Sequence, residues 1–514
     1  MDWEVQRKRR KLTDNNYFNS KHEKMKWPKP TYTLLISTLV FLGCKDTPKD
    51  QVDISVQKPN IIFLFTDDQS YRDLHALGNS EVRTPAMDQL VAEGTTFTHA
   101  YNMGGWNGAI CVASRAMIIS GRSVWRAQEV SKSFSQNKDF DKTWPQLLKT
   151  VGYETYMTGK WHISAPADSI FDHVARSLRG MPFDTPEGYN RPLSVNDTLW
   201  QPWDTDRGGY WQGGKHWSEL VRDDALGFID TAANADEPFF MYIAFNAPHD
   251  PRQSPREYVE SYDVEDIALP ESFLPKYPYA EAMGAGPNLR DEKLAPFPRT
   301  EYAIKKNRQE YYAITTHLDD QIAMILSKLK EKGLDKNTYI FFTADHGLSV
   351  GEHGLLGKQN MYDHSVRVPL MVLGPDIPKG KKVENDVYLQ DIMATTLQLA
   401  GVEKPDYVEF SSLLPQINQD TEGLAEVYGC YEKGSQRMIR KDGWKLIVYP
   451  RAAKLRLYDL TNDPNELMDV SEHPDQQEKV KALFTDLVKL QQKMGDTLQL
   501  DSDTYPQTKE MKTL

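Results

Sequence analysis

From Asn60 onward, short apolar runs alternate with stretches in which apolar residues recur three or four apart. Ile61-Ile62-Phe63-Leu64-Phe65, Phe239-Phe240-Met241-Tyr242-Ile243, Thr338-Tyr339-Ile340-Phe341-Phe342 and Leu370-Met371-Val372-Leu373 read as strands buried on both faces. Tyr311, Ile314, Leu318, Ile322, Ile325 and Leu329 share one side of a helix that Gly333 closes, and a second helix covers 391–399 ahead of Gly401. This alternation predicts an α/β sheet covered by helices. After about Val402 the pattern changes to strand-like pieces such as Trp444-Lys445-Leu446-Ile447-Val448-Tyr449, then an amphipathic helix over 477–493. That change predicts a smaller C-terminal α+β subdomain. The region 171–214, rich in Gly, Pro, Asp and Trp, reads as a long insertion.

The N-terminal pattern is different. Met25-Lys26 opens a short basic region, followed by an apolar run over 33–42 that is too short to span a bilayer comfortably. The run ends in Leu42-Gly43-Cys44 and a polar stretch. This resembles a bacterial lipoprotein signal. The resemblance implies lipidation of Cys44, a membrane attachment through that lipid, and a bacterial cell-envelope location, at the outer membrane or facing the periplasm. An ordinary signal peptide or signal anchor is the alternative. Arg7-Lys8-Arg9-Arg10-Lys11 has the composition of a nuclear signal, but a translation start at Met25 accounts for it more simply. The expected organisation is thus 1–44 extension and signal, 45–58 linker, 59–405 catalytic domain and 406–514 C-terminal subdomain.

With 39% hydrophobic residues in 514, the chain can bury a large core. Lys+Arg number 61 against 73 Asp+Glu, a net charge of −12, which argues against a general nucleic-acid binder. It leaves room for an anionic substrate in a locally basic pocket. The three cysteines, Cys44, Cys111 and Cys430, are too few for a disulfide framework. Cys430 reads as a buried structural thiol.

The chemistry gathers where the apolar runs end. The first runs into Asp67-Asp68, the Thr338 run into Asp345-His346, and the Phe239 run into Asn246-Ala247-Pro248-His249. The short run Glu154-Thr155-Tyr156-Met157 leads to Lys160-Trp161-His162. Open α/β sheets bind ligands beyond the carboxyl ends of their strands, so these groups are expected along one edge. Cys111 precedes the helical stretch Ala116-Met117-Ile118-Ile119, and a cysteine at a helix N-terminus is poised to react.

These stretches together resemble the formylglycine-dependent sulfatases of the alkaline-phosphatase superfamily. The likeness runs from 59 to about 470. It includes Cys111-Val112-Ala113-Ser114-Arg115, Gly159-Lys160-Trp161-His162, Ala247-Pro248-His249, Asp345-His346-Gly347 and Leu356-Gly357-Lys358. It implies an alkaline-phosphatase-like mixed sheet sandwiched by helices. It implies that a formylglycine-generating or anaerobic sulfatase-maturating enzyme converts Cys111 to 3-oxoalanine, whose hydrate attacks sulfur. Alanine at 113, where proline is commoner, is an accepted variant. Asp67, Asp68 and Asp345 match the metal carboxylates, with His346 in the fourth position and position 111 completing the shell. Hard oxygen ligands point to Ca²⁺, with Mg²⁺ as the alternative. Many relatives carry asparagine in place of His346, which leaves the metal's identity open. Lys160 and Lys358 match the residues that hold sulfate oxygens. His249 matches the acid for the leaving oxygen, His162 the base or diol-orienting group, and Arg115 a residue that orients the diol.

Asn246 reads as an accessory contact or a turn former. His317, His353 and His364 could suggest a second metal, but the two lysines already supply that charge. Trp200, Trp203, Tyr210, Trp211 and Trp217 form either a sugar-stacking platform or packing under a loop. The lipoprotein signal and the stretch Phe245-Asn246-Ala247-Pro248-His249-Asp250-Pro251-Arg252-Gln253 resemble those of polysaccharide-active sulfatases of Bacteroidetes. That implies a sulfated glycan substrate, for example algal ulvan, with a small sulfate ester as the alternative. Rival readings are a phosphodiester or phosphonate monoester hydrolase on the same fold, and a non-catalytic glycan-binding lipoprotein.

Overall fold

The apolar runs become adjacent strands. The strands, in chain order, are β1 (Asn60–Asp67), β2 (Thr95–Tyr101), β3 (Gly104–Gly105), β4 (Glu154–Lys160), β5 (His173–Leu178), β6 (Phe239–Pro248) and β7 (Thr338–Ala344). They continue with β8 (Arg367–Val368), β9 (Leu370–Leu373), β10 (Lys381–Tyr388), β11 (Val427–Tyr431), β12 (Gln436–Lys441), β13 (Trp444–Tyr449) and β14 (Lys454–Asp459). The structure, a computed structural model, describes residues 58–183, 188–419 and 421–509. Cys44 and the expected signal lie outside the described residues.

The main sheet has nine strands in the order β10-β2-β9-β7-β1-β6-β4-β5, with β8 paired to β2. β1 lies between β6 and β7, parallel to both, with Phe63 opposite Tyr242 and Phe341. β9 runs antiparallel to β7 and β2, so the sheet is mixed, as the resemblance implies. The side chains of β1 alternate between two cores. Ile61, Phe63 and Phe65 pack with Ile118, Ile119, Ile392 and Leu397 from the Ile110–Ser120 and Asp391–Ala400 helices. Ile62 and Leu64 pack with Leu90, Val221, Ile314 and Leu318 from the Pro85–Glu93, Trp217–Ala232 and Glu301–Glu331 helices. Each such fully buried aliphatic or aromatic side chain contributes about 1.5–3 kcal/mol. Helices on both faces therefore fix the sheet, and with it the positions of the strand ends.

The long helix forms where its apolar spacing predicts. It begins at Thr300, whose side chain accepts from the Ala303 N–H at 3.2 Å. The region 171–214 departs from a pure insertion, because His173–Leu178 pairs with β4 as the edge strand of the main sheet. Its side chains are half-buried or exposed along its whole length, so it lacks the apolar run that marked the central strands.

A second sheet has the order β14-β13-β12-β11-β3. The Gln477–Met494 helix covers it, packing Val480, Leu483, Phe484 and Leu487 against Met438, Ile439 and Leu446. Its last member, β3, comes from far upstream and lies just before the cysteine-bearing helix. Cys430 N–H donates to the Met103 carbonyl and Glu432 N–H to the Gly105 carbonyl, both at 2.9 Å. Gly104 has φ +81, and a Cβ there would lie 2.0 Å from the Cys430 carbonyl oxygen, so only glycine permits this pairing.

Candidate active site

Parallel strands β1, β4, β6 and β7 end on the same edge of the sheet, and each carries a reactive group past its last residue. Asp67-Asp68 follows β1, Lys160-Trp161-His162 closes β4, His249 follows β6 and Asp345-His346 follows β7. The Ile110–Ser120 helix points its first turn at the same edge and supplies Cys111, Ser114 and Arg115, all buried. The structure thus brings together every site residue expected from the described part of the sequence.

Asp345 is the hub. Its carbonyl accepts from Asn102 Nδ2 and Ser114 Oγ, both at 2.8 Å. Its Oδ1 accepts from the backbone N–H of His346 at 3.0 Å and of Asp68 at 3.3 Å. Arg115 is fully buried, with Nε and Nη2 each 3.1 Å from Asp345 Oδ2 and Nη1 donating to the Lys160 carbonyl at 2.8 Å. Arg115 therefore acts on the frame of the site, tying β7 to β4. Burial pushes the Asp345 carboxyl up, but His346, Arg115 and Lys160 pull it down to about 2.

The two lysines sit on the aspartates. Lys160 Nζ contacts Asp67 Oδ2, and Lys358 Nζ is 2.7 and 2.9 Å from the oxygens of Asp68 and 3.7 Å from Asp291. Burial disfavours the Lys358 charge, yet Asp68 and Asp291 hold its pKa above the ordinary value. The cysteine follows the same logic. Burial alone would raise the Cys111 thiol, but Lys160, His162, His346 and Lys358 beside it bring it well below its ordinary value. Cys430, buried in β11, is pushed up to about 12 by burial and is chemically quiet.

A divalent cation fits the carboxylate end. Asp67, Cys111, Asp345 and His346 offer ligand atoms that all lie within 4.8 Å of one another. Asp67 Oδ1 and His346 Nε2 are buried without a hydrogen-bond partner. His346 Nδ1 lies 2.9 Å from the Gly347 carbonyl, which leaves Nε2 facing Asp68 Oδ1 at 3.2 Å. Burial opposes the imidazolium, but Asp345 and Asp68 lift His346 to about 9. A cation held by the same carboxylates would reverse that balance and free Nε2 as a ligand.

On the other side of the cysteine, His162 Nδ1 is 3.5 Å from Cys111 Sγ. His249 Nδ1 is 2.7 Å from the Asp250 carbonyl, and its Nε2 is 3.3 Å from Arg290 Nη2 and 3.7 Å from Asp68 Oδ2. Both rings and Cys111 line a cavity of about 620 Å³ together with Lys358. Asn246 neither lines it nor merely shapes a turn. Its Nδ2 donates to the carbonyls of Arg179 and Gly180, at 3.0 and 3.2 Å, and fixes that segment beside His162. A Cβ at Gly180 would fall 2.2 Å from His162 Cε1. Gly180→Ala is therefore expected to push the ring off Cys111 and lower kcat about 100-fold. A thermal melt unchanged within a few degrees would separate this from unfolding.

None of Trp200, Trp203, Tyr210, Trp211 and Trp217 lines the cavity that holds Cys111. Trp200, Tyr210 and Trp217 are buried, and Tyr210 donates its hydroxyl hydrogen toward the Asn246 carbonyl at 2.8 Å. Trp211 Nε1 donates to the Pro202 carbonyl at 2.9 Å. His317 lies 3.5 Å from Glu219, and His353 and His364 contact each other at 3.3 Å; none of the three lines the cavity. Sequence reading missed Asp291, Arg290, Tyr189 and Gln359. Asp291 accepts from Gln359 Nε2 at 2.8 Å and so shapes the wall next to Lys358. Asp291 opens a short 3₁₀ turn, Asp291–Leu294, Tyr189 and Arg290 lie in irregular segments, and Gln359 directly follows the Leu356-Gly357-Lys358 stretch.

Comparison with known proteins agrees with this geometry. The Sulfatase family model matches residues 59–402, and a model of the N-sulphoglucosamine sulphohydrolase C-terminal region matches residues 351–493. A sulfatase of Formosa agariphila is 28% identical over 483 residues, covering 88% of this chain and 91% of that protein. The structure of BT4656 in complex with its substrate D-glucosamine-2-N,6-O-disulfate superposes with a TM-score of 0.66 at 22% identity, over 86% of this chain and 99% of the other. The phosphonate monoester hydrolase of Silicibacter pomeroyi gives 0.69 at 19% identity, over 86% and 96%, so the fold alone does not separate sulfate from phosphonate chemistry. The Sulfatase family match, running through every strand of the main sheet, places the chain in the sulfatase family, hydrolases of sulfuric esters.

Proposed function

We propose that the protein removes sulfate from a sulfated carbohydrate, a poly- or oligosaccharide such as ulvan, through formylglycine formed at Cys111. The observation that carries this reading is Cys111 at a buried helix N-terminus, set between His162 and the Asp67–Asp345–His346 group and facing a cavity with Lys358 on its wall. The glucosamine disulfate bound by BT4656 supports a sugar substrate.

In this reading a separate maturation enzyme oxidises Cys111 to the aldehyde, which hydrates. One hydroxyl gives its proton to a carboxylate of the Asp67–Asp345 group, and its oxygen bonds to sulfur as the S–O bond to the sugar breaks. His249 gives the departing sugar oxygen its proton. His162 takes the proton of the second hydroxyl as the C–O bond to sulfate breaks, which restores the aldehyde. Lys160 and Lys358 hold the sulfate oxygens and offset their charge. A Ca²⁺ ion, or Mg²⁺, held by Asp67, Asp68, Asp345 and His346 would add positive charge on the same side. Burial, Lys358 and Lys160 all depress the His249 pKa, and a bound sulfate ester brings the negative charge that counters both lysines. Lipidation at Cys44 would set this site at the bacterial cell envelope.

The test is sulfate release from algal and animal sulfated glycans and from an aryl sulfate, by protein made with a maturation enzyme. Phosphonate monoesters and phosphodiesters run beside them. Release from a glycan names the substrate class, whereas turnover of phosphorus esters alone, with 3-oxoalanine confirmed at 111 by mass spectrometry, overturns the reading. His249→Gln is expected to slow a sugar sulfate about 100- to 1000-fold but an aryl sulfate far less, because a phenolate leaves without a proton. Equal losses on both would remove His249 from the acid role.

A further inference from the structure

We propose that Arg179 and Phe183 form a second subsite at the mouth of the cavity. It would take a carboxylate or a second sulfate, carried by the sugar that bears the scissile ester or by its neighbour. This inference rests on the reading of the cavity as a sulfated-glycan site.

Both residues line the same cavity as Cys111, His162 and Lys358. They follow the edge strand β5 on the segment that Asn246 ties down through the carbonyls of Arg179 and Gly180. Gly180 sits against the His162 ring, so the segment is held at a fixed distance from the reacting centre. Phe183 is 66% exposed where it lines the cavity, so its ring faces solvent at the mouth. The Arg179 guanidinium lies 3.8 Å from the centroid of that ring. The stacking orients the guanidinium and leaves its N–H edges available to an oxyanion.

The charges around the cavity single out Arg179. Lys160, Lys358 and Arg115 each lie against a buried carboxylate of the centre. Arg290, which also lines the cavity, lies 2.6 Å from Asp291 and 3.6 Å from Asp250. Among the described residues no carboxylate pairs with Arg179. A protein of net charge −12 thus places at the entrance to a site for an anion a guanidinium that has no carboxylate partner among the described residues. The centre already has cations enough for one sulfate, so a guanidinium at the rim suits a second anionic group. Phe183 beside it offers an apolar face to a pyranose ring.

The subsite is tested by binding, with Cys111→Ala protein and calorimetry, so that the readout does not require turnover. The ligands are three disaccharides with the same sulfate ester: one otherwise neutral, one with a uronate, and one with a second sulfate. Without further change, the protein should prefer the two extra-charged sugars. Adding Arg179→Ala should weaken those two about tenfold and the neutral one by less than about twofold, while Arg179→Lys should keep part of the preference. Weakening of only one charged ligand would identify its group, carboxylate or sulfate, as the one recognised. No preference in the Cys111→Ala protein, no effect of Arg179→Ala, or equal weakening of all three overturns the subsite. Turnover of an aryl sulfate by the matured enzyme is measured separately. Its absence would count against the sulfatase reading and would leave the binding result intact.

Discussion

Replacing Cys111 with alanine is expected to reduce sulfate release by about a million-fold, to the background of the assay, while the protein stays folded. The side chain is buried at the start of a helix, and alanine removes only the sulfur atom, so the melting temperature should move by no more than a few degrees. A Cys111→Ser variant gives a sharper reading. Its single hydroxyl could attack sulfur, but it has no second hydroxyl whose deprotonation expels the sulfate. The expected product is a serine sulfate, seen as one added sulfate per chain by mass spectrometry, with no continued turnover. Steady release from either variant would remove position 111 from the reaction.

Asp345→Asn is expected to produce the second largest loss. The substitution keeps the shape of the hub and removes its charge. Arg115, with no solvent exposure, would then face an amide where it now has a carboxylate at 3.1 Å. Leaving a buried charge without its partner costs about 3–5 kcal/mol. The same change removes one of the oxygen ligands proposed for the cation. Activity should fall at least about 1000-fold. The separate readout is thermal: calcium at about 100 times its Kd should stabilise the native protein by about 2.7 kcal/mol and the variant by almost nothing. Full calcium stabilisation of the variant would exclude Asp345 as a ligand. The pH dependence has a definite sign. Asp345 is held at about 2, below its ordinary 3.8, so its contribution to stability is complete above that ordinary value and lost as pH falls toward 2.

How much of this was legible beforehand depended on whether a feature is local. β1, β6 and β7 announce themselves because strands buried on both faces must be apolar throughout, and the polar residues that interrupt them mark the edge where the site lies. Lys160, His162, His249 and Asp345 were readable for that reason, Cys111 from its place before a helical stretch, and Lys358 from the resemblance, which also supplied the roles. β5 was not readable, since an edge strand half open to solvent has no continuous apolar run. Asp291 and Arg290 were not readable because their importance comes from what they touch, Gln359, Lys358 and His249, all distant in sequence. The aromatic residues of 200–217 left two readings open in the sequence, a sugar platform or packing under a loop, and the burial of Trp200 and Trp217 is of the packing kind.

The pairing of β3 with β11 bears on the order of events during synthesis. The chain leaves the ribosome N-terminus first. All the strands of the main sheet are made before Val427–Tyr431 exists. Until then Met103 and Gly105 lack the partners that brace the approach to Cys111. The nucleophile is framed on that side only when the polypeptide is nearly complete. A truncated product ending before residue 427 would have the whole catalytic sheet and still present its cysteine loosely. The late strand therefore makes the bracing of residue 111 depend on near-completion of the chain.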